Sequence, residues 1–381
     1  MSVRVLHLAD LHLGAAFPSI RERGPERTRD LLAAFLRAID FATRDPKPVD
    51  MVVIAGDLFD THDPEEGLVY QVEAAIDRLS QAGLPVLIAP GTHDAPNYRR
   101  CVYRRLRLPS GAHIFLSPTL EVGPLITVGS ETVQTYGIAY DSTVCERPFA
   151  DFRPSGLVDY HLAIAHGALQ DNPAWKIRPT DLPMTRAEIA KSGLHYVALG
   201  HFHNFAEVRE NGVVAVYPGT LEGKRFGENG PRYLVVATLS REGVTLDRTP
   251  WNVRTLHDAV IDLGLAELRG EDQLEQRLLA FAGDREITRI RIEGPADFVF
   301  DSDRVQKRLG PKFFHLEIED KTYVVNAALL TRYKDEPTVR GVFVRRMLEK
   351  IDRAPDVATR EAATHALRLG LAEFQNPRHA P

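Results

Sequence analysis

Short apolar segments recur through the first two thirds of the chain. They are rich in β-branched residues, as buried strands are, and many are followed by Gly, Asp or His. These predicted strands are Val3–Leu8, Val49–Ala55, Leu84–Ala89, Tyr160–Ala165, His195–Leu199, Val213–Tyr217, Tyr233–Leu239 and Val244–Leu246.

Amphipathic segments with helical spacing lie between the first of these strands. Arg29–Thr43 and Leu68–Gln81 carry apolar residues on one face, and Thr185 is an N-cap residue before a third helix. Alternating strands and helices predict an α/β fold. The later strands, which have short turns between them, predict a second sheet packed on the first.

The pattern changes near Trp251. An acidic helix, Glu271–Ala282, is flanked by further strands and predicts a small α+β unit, and two helices are predicted after it, Thr338–Ile351 and Asp356–Phe374. The end of the chain, from Asn376 onward, is predicted to be disordered. The resulting domain boundaries are 1–252, 253–330 and 331–381.

Composition narrows the class of protein. The 381 residues are 44% hydrophobic, enough for a large core, and the net charge of −5 excludes a global positive field that would attract nucleic acid. Two cysteines cannot form a disulfide framework. The N-terminus lacks a signal-peptide pattern, and no apolar run approaches the roughly 20 residues that span a bilayer. We expect a cytoplasmic protein without a membrane segment.

Seven side chains of the types that bind metals follow the predicted strands. The pairs Asp10/His12 and His201/His203 are each two residues apart, so on extended backbone both members point the same way. Mixed carboxylate and imidazole ligands suit Mn²⁺, Fe²⁺ or Zn²⁺, and two such ions can bind a phosphodiester and activate water. Any one motif alone would be an ordinary polar strand end, but the full series favours a metal site. In chain order the seven are Asp10, His12, Asp57, His93, His166, His201 and His203.

These motifs resemble the signature of calcineurin-like metallophosphoesterases: Asp-x-His, Gly-Asp, Gly-Asn-His-Asp/Glu, His and Gly-His-x-His. The segments 5–14, 56–60 and 217–222 resemble its branch of double-strand-break repair nucleases, which includes bacterial SbcD and YhaO-like proteins. The resemblance implies a four-layer αββα sandwich, a DNA-capping domain and C-terminal helices. As partners it implies DNA and an SMC-like coiled-coil ATPase of the SbcC type, and it leaves a homodimer open.

Carried onto this chain residue by residue, the resemblance implies two metal sites that share Asp57. His93 would protonate the leaving oxygen, and Asp94 would accept a hydrogen bond from the other ring nitrogen of His93. Alternatively, His93 only hydrogen-bonds its own turn. The implied ligands are Asp10, His12, Asp57 and His203 for one metal, and Asp57, Thr92, His166 and His201 for the other.

Thr92 departs from the family pattern, which has Asn at this position. A threonine hydroxyl reaches less far than an amide oxygen and is a weaker ligand, so we expect either that the second metal binds loosely or that a water fills the gap. His62 and Asp63 lie a few residues beyond Asp57 and could compensate, although surface loop residues are the ordinary interpretation.

Two basic segments are candidate DNA contacts. Arg100, Arg104 and Arg107 would share one face of a helix, and a cationic face beside the site would follow a DNA backbone. The alternative is a solvated helix whose arginines pair with acidic neighbours. Lys224 and Arg225 follow a Pro-Gly turn close in sequence to His203 and could line the same groove.

The leading hypothesis is an Mn²⁺-dependent DNA nuclease, an exonuclease on duplex ends with single-strand endonuclease activity as a secondary expectation. A phosphatase or a cyclic-nucleotide phosphodiesterase is the alternative enzyme, which the long region after Trp251 disfavours. A non-catalytic scaffold with the same fold is the third reading. Thr92 is the one residue that supports this hypothesis, and the other ligand positions and His93 argue against it.

Overall fold

The computed structural model describes residues 2–144, 147–171, 177–178, 180–264, 268, 270–296, 298, 300–324 and 327–375. The chain divides into two compact units, the first ending at Thr255 and the second starting at Leu256. Cys101 is buried, whereas Cys145 and the tail predicted to be disordered lie outside the described residues.

The first unit contains fourteen strands and three α-helices in its described part. The helices are α1 (Gly24–Thr43), α2 (Glu66–Gln81) and α3 (Arg186–Lys191). The strands are β1 (Val3–Leu8), β2 (Met51–Ala55), β3 (Val86–Ala89), β4 (Ala112–Ile114), β5 (Glu121–Val128), β6 (Glu131–Gly137), β7 (Tyr160–His166), β8 (Ala168–Leu169), β9 (Pro183–Met184), β10 (Tyr196–Gly200), β11 (Ala206–Glu210), β12 (Val213–Tyr217), β13 (Tyr233–Ser240) and β14 (Gly243–Pro250).

Two six-stranded sheets form the centre of this unit. The first has the order β14-β13-β1-β2-β3-β4 and the second β11-β12-β10-β7-β6-β5. In the first sheet β1 to β4 are parallel, and in the second β6, β7, β10 and β12 are parallel. The carboxyl ends of neighbouring parallel strands therefore meet at one edge of each sheet.

The two sheets pack face to face. Val5 of β1, Ile164 of β7 and Ala198 of β10 belong to one buried apolar cluster between them, and burying a side chain such as Val or Ile contributes about 1.5–3 kcal/mol. The opposite face of β1 carries buried Leu6 and Leu8. The prediction of a second sheet packed on the first is confirmed. Two of the later strands assigned to it, β13 and β14, instead belong to the first sheet, where β13 pairs with β1 and β14 pairs with β13.

Helices cover the outer faces of both sheets. On the first sheet the covering helices are α1, which buries Phe35, and α2, which buries Ile76. Ile189 of α3 packs with Val197 and Leu199 of the second sheet. Thr185 caps α3 as predicted, because its hydroxyl accepts from the Glu188 main chain and the Glu188 carboxylate accepts from Thr185. The layers are helix, sheet, sheet and helix, so the mixed α/β fold is confirmed.

The second unit has a three-stranded sheet and five described helices. The sheet order is β15-β16-β17, with β16 and β17 parallel. None of the helices in the described part of the chain is long and apolar enough to cross a membrane. The strands are β15 (Thr255–Asp262), β16 (Gly283–Ala296) and β17 (Phe313–Val324), and the helices are α4 (Glu271–Leu279), α5 (Ser302–Leu309), α6 (Ala327–Lys334), α7 (Val339–Asp352) and α8 (Val357–Gln375).

The last three helices share a core of their own. Val344 of α7 and Leu367 and Leu371 of α8 are buried together, with Phe343 and Met347 packed against them. Most of the apolar positions in these two helices therefore stabilise the helices against each other. Other apolar side chains on them remain exposed, including Val339 and Val342.

The prediction that Arg100, Arg104 and Arg107 share one face of a helix is wrong. In this segment only Val102–Arg104 is helical, as a single 3₁₀ turn, and the backbone is extended at Cys101 just before it. Tertiary contacts override the local pattern, because Tyr103 donates a hydrogen bond to buried Asp94 (2.7 Å) and the Val102 amide donates to the His62 carbonyl (2.8 Å).

Candidate metal centre

The candidate ligands lie at the carboxyl ends of parallel strands of both sheets, His166 as the last residue of β7 and the others on the loops that follow. Asp10, His12, Asp57 and His201 all have positive φ, at 52°, 44°, 48° and 111°. Non-glycine residues seldom adopt this region, and strained residues cluster at functional sites. Main-chain hydrogen bonds hold the loops together, from Asp10 to the Gly56 carbonyl (3.0 Å) and from His12 to the Asp57 carbonyl (2.9 Å).

Asp10, His12 and His203 form the first group of converging ligand atoms. The Nε2 atoms of His12 and His203 are 3.1 Å apart. Two nitrogens that each bind one ion at about 2.1 Å and at roughly a right angle would have a similar separation. The Asp10 carboxylate also accepts the His201 amide (3.0 Å). The donor set and its spacing fit one divalent ion.

Asp57 belongs to a second group of converging ligand atoms, together with Asp10 and His166. Its Oδ2 atom is 3.7 Å from His12 Nε2 and 3.5 Å from His166 Nε2. The Thr92 hydroxyl donates to the same oxygen (3.1 Å), and the His93 amide donates to Oδ1 (2.8 Å). A carboxylate in this position can bridge two ions.

His166 gives the clearest test of whether the second group fits a metal ion. Its Nδ1 lies 3.1 Å from the Ala55 carbonyl, which fixes a proton on Nδ1 and directs the lone pair of Nε2 toward Asp57. Nε2 is buried and has no hydrogen-bond partner among the described residues. Buried polar atoms are rarely left unpaired, so a metal ion is the expected partner.

Two glycines make room for this arrangement. A Cβ atom at Gly91 would collide with the Asp57 carboxylate, and one at Gly200 would collide with the Ala55 carbonyl. The glycines of the Gly-Thr-His-Asp and Gly-His-Phe-His motifs are therefore required by close packing around the ligands.

Burial and charge shift the acidity of these groups in the metal-free site. Burial raises the pKa of Asp10 to about 7 and lowers the pKa of His166 to about 4. Burial alone would also raise the pKa of Asp57, but His166 and the other imidazoles around it outweigh burial and lower that pKa. The Asp57 carboxylate is thus kept ionised.

Three carboxylates that the sequence analysis did not assign support the ligands. Glu228 accepts from His203 Nδ1 (2.7 Å), Asp60 lies 3.1 Å from His12 Nδ1, and Asp181 Oδ2 lies 3.6 Å from His201 Nε2. Carboxylates in this position orient a histidine ligand and raise its basicity. Asp60 lies three residues beyond Asp57 in the segment Gly56–Asp60, and this closeness to a candidate ligand could have identified it. Asp181 and Glu228 had no comparable signal.

The expectation that Asp94 accepts a hydrogen bond from the His93 ring is wrong. His93 Nδ1 instead lies 2.9 Å from the Asp60 carbonyl. The buried Asp94 carboxylate accepts from the amides of Gly91 (2.7 Å) and Phe59 (3.1 Å) and from the Tyr103 hydroxyl. Asp94 therefore holds the Gly91–Asp94 turn in place, and the His93 ring is 44% exposed.

A cleft of about 820 Å³ opens over the centre. Lys224 and Arg225 line it, together with His93. The Lys224 ammonium contacts Asp60 and lies 3.1 Å from His12 Nδ1, whereas the Arg225 side chain is 76% exposed. The two segments predicted to bind DNA therefore differ in position.

Arg100 and Arg104 line a separate shallow depression together with Asp63 and Glu65. Arg107 is exposed, and its amide donates to a glutamate of α2. Asp63 pairs with Arg105 (2.9 Å). This ion pair belongs to Arg105, so DNA contacts by Arg100, Arg104 and Arg107 stay a prediction.

Comparisons with known proteins find relatives among phosphoesterases. The model of the calcineurin-like phosphoesterase family matches residues 3–205. The chain is 29% identical to the metallophosphoesterase YhaO of Bacillus subtilis over 241 residues, 61% of this chain and 57% of that protein. It is 28% identical to the DNA double-strand break repair protein Mre11 of Sulfurisphaera tokodaii over 209 residues, 52% of this chain and 49% of the relative.

A third relative matches almost the whole chain. The DNA double-strand break repair protein Mre11 of Methanosarcina acetivorans is 25% identical over 406 residues, 98% of this chain and 62% of the relative. The chain thus spans between 49% and 62% of the length of these three relatives. Because the family model matches residues 3–205, more than half of the 381 residues, the chain belongs to the calcineurin-like phosphoesterase family.

Proposed function

We propose that the first unit is a metal-dependent nuclease that hydrolyses DNA phosphodiesters with two divalent ions, Mn²⁺ being the expected metal. The convergence of Asp10, His12 and His203 in one group, and of Asp10, Asp57 and His166 in another, supports the proposal most directly. The names of the Mre11 relatives support DNA as the substrate.

The ligands would be the two sets named from the sequence, with Asp57 shared. Bound divalent ions would polarise the phosphodiester and activate a water for in-line attack. Asp57 keeps its negative charge for this role, because the imidazoles around it lower its pKa. Asp10, with a pKa of about 7 in the metal-free site, has to lose its proton when an ion binds.

In this proposal His93 would protonate the leaving oxygen. Its Nδ1 is held by the Asp60 carbonyl, so the other ring nitrogen remains for a substrate in the cleft that His93 lines. Asp60 also contacts Lys224, and the ammonium limits the negative charge next to a bound phosphate. Thr92 is a weak ligand for the second ion, since its hydroxyl is already directed at Asp57.

The test compares Asp57→Ala and His93→Ala with His257→Ala, a control in the second unit. Asp57→Ala should lose bound Mn²⁺ and all hydrolysis of bis-p-nitrophenyl phosphate. His93→Ala should keep its metal while losing roughly 10²-fold or more in rate. Metal loss in His93→Ala would instead make His93 a ligand. Unchanged turnover by Asp57→Ala after chelation and Mn²⁺ addition would refute the two-metal assignment.

Substrate choice separates the proposed nuclease from the other readings. Duplex and single-stranded DNA should be degraded faster than a cyclic nucleotide or a phosphomonoester at equal concentration. The reverse order would favour the phosphatase or cyclic-nucleotide phosphodiesterase. A protein that binds DNA but hydrolyses none of these substrates with any divalent metal would be a scaffold.

We further propose that the second unit caps DNA and binds an SMC-like ATPase of the SbcC type. The exposed valines of α7, Val339 (79%) and Val342 (42%), support a docking surface on these helices. Val342→Lys should abolish co-purification with an ATPase encoded by a neighbouring gene. Val122→Lys on β5, where the valine is 62% exposed, is the matched control. Dimerisation and a cytoplasmic location stay predictions.

A further inference from the structure

An aromatic pair lies in the metal-centre cleft and has no role in the chemistry described above. The rings of His62 and Tyr98 are stacked, with centroids 4.1 Å apart and planes 16° from parallel. Both residues line the cleft that also contains Thr92 and His93. Tyr98 is nevertheless 44% exposed, so a large part of its ring surface faces solvent next to the candidate metal centre.

The pair is held from both sides. The His62 carbonyl accepts the Val102 amide (2.8 Å), which fixes the loop five residues beyond Asp57. Next to Tyr98, Asn97 donates to Asp141 (2.9 Å). Because these contacts hold the two loops that carry the pair, a ligand that covers it orders little additional backbone.

We propose that Tyr98, supported from behind by His62, is a stacking platform for one nucleobase of the strand whose phosphodiester lies at the metal centre. This inference rests on the proposed nuclease function and adds a substrate preference to it. Stacking of a base on an aromatic side chain contributes about 1–3 kcal/mol and is tolerant of sequence, because every base has a π face. Lys224 and Arg225 line the same cleft and can follow the backbone of the strand.

The preferred substrate follows from the geometry of stacking. A base inside a duplex already stacks on its neighbours along the strand, so it can reach Tyr98 only after it has left the helix, which costs a few kcal/mol. The platform therefore favours single strands, frayed ends and flaps over intact duplex. It also predicts that the base itself, and not only the phosphate backbone, contributes to binding.

The experiment compares two single-stranded oligonucleotides that differ only at the nucleotide next to the scissile bond, which carries either a base or an abasic analogue. Both binding, by fluorescence anisotropy, and cleavage with Mn²⁺ are measured for wild type, Tyr98→Ala and Tyr98→Phe. Tyr70→Ala is the matched control, because Tyr70 is a 71% exposed tyrosine on α2. Wild type should prefer the base-containing strand by about tenfold.

Tyr98→Ala should reduce this preference to about one, whereas Tyr98→Phe and Tyr70→Ala should keep it. The platform would be overturned if Tyr98→Ala weakened the binding of both oligonucleotides equally, or if it left the preference for the base-containing strand unchanged. The nuclease proposal can fail separately: if wild type cleaves neither oligonucleotide but binds them with a base preference that depends on Tyr98, the platform stands without the nuclease. No base preference in wild type overturns the platform, whatever the cleavage result.

Discussion

A buried ion pair beside the candidate centre gives the sharpest stability prediction. Arg27 of α1 and Glu222 form it at 2.7 Å, with side chains 0% and 1% exposed. Arg27 also donates to the Gly223 carbonyl (2.6 Å). The pair thus fixes the start of the loop that carries Lys224, and we expect Glu222→Gln and Arg27→Met each to destabilise the protein.

The magnitude follows from the burial of both groups. Removing one partner leaves the other as a poorly compensated buried charge, which costs about 3–5 kcal/mol. Arg27 keeps Asp30 at 3.4 Å, so Glu222→Gln should lie near the lower end of this range. Replacing both partners by apolar residues removes the stranded charge, so Arg27→Met/Glu222→Met should cost much less than the sum of the single changes. The exposed pair Arg23–Glu26, whose side chains are 44% and 36% accessible, provides the contrast. Arg23→Met should cost under about 1 kcal/mol.

Urea unfolding of the full-length chain, followed by far-ultraviolet circular dichroism, measures these free energies. With a slope of about 3 kcal/mol per molar urea, the single buried changes should lower the midpoint by about 1 M. The reasoning would be refuted if Glu222→Gln were no more destabilising than Arg23→Met. Strict additivity in the double variant would equally contradict the ion-pair explanation.

Three further predictions concern the ions. Thr92→Asn restores an amide oxygen and should lower the Mn²⁺ concentration for half-maximal activity by roughly 10- to 100-fold; an unchanged requirement would mean that another group already fills that position. Asp181→Asn should weaken the second of two calorimetric Mn²⁺ affinities about tenfold by removing the carboxylate beside His201, and equal weakening of both would contradict this role. Burial raises the pKa of Asp10 to about 7, so Mn²⁺ affinity should rise between about pH 6 and pH 8 as that proton is lost. Calorimetry in buffers of different ionisation enthalpy should detect its release, and the absence of release would count against Asp10 as a ligand.

Features that depend on a few neighbouring residues could be predicted well from the sequence. The bounds of β1 and β12 are those predicted, and Thr185 and Thr338 are the N-caps of α3 and α7. Strand periodicity and capping are local, since they involve residues only two to four positions apart. The edge strand β5 was missed because Gly and Pro interrupt it.

The candidate ligands were also accessible from the sequence, because each lies directly after a strand. Parallel strands bring their carboxyl ends together, so the spacing within Asp10/His12 and within His201/His203 was enough to predict that the groups converge. The sequence therefore determined the candidate ligands and the family to which the chain belongs.

Only the tertiary structure decided what supports those residues. Glu228 pairs with His203 across 25 positions, and Asp181 meets His201 through a separate loop, which no local pattern encodes. The Tyr98–Arg107 segment, predicted to be a helix, is held in another conformation because Tyr103 is drawn to buried Asp94. Burial of such a contact outweighs a helix propensity of a few tenths of a kcal/mol per residue. Long-range packing thus fixes the conformation wherever the local preference is weak.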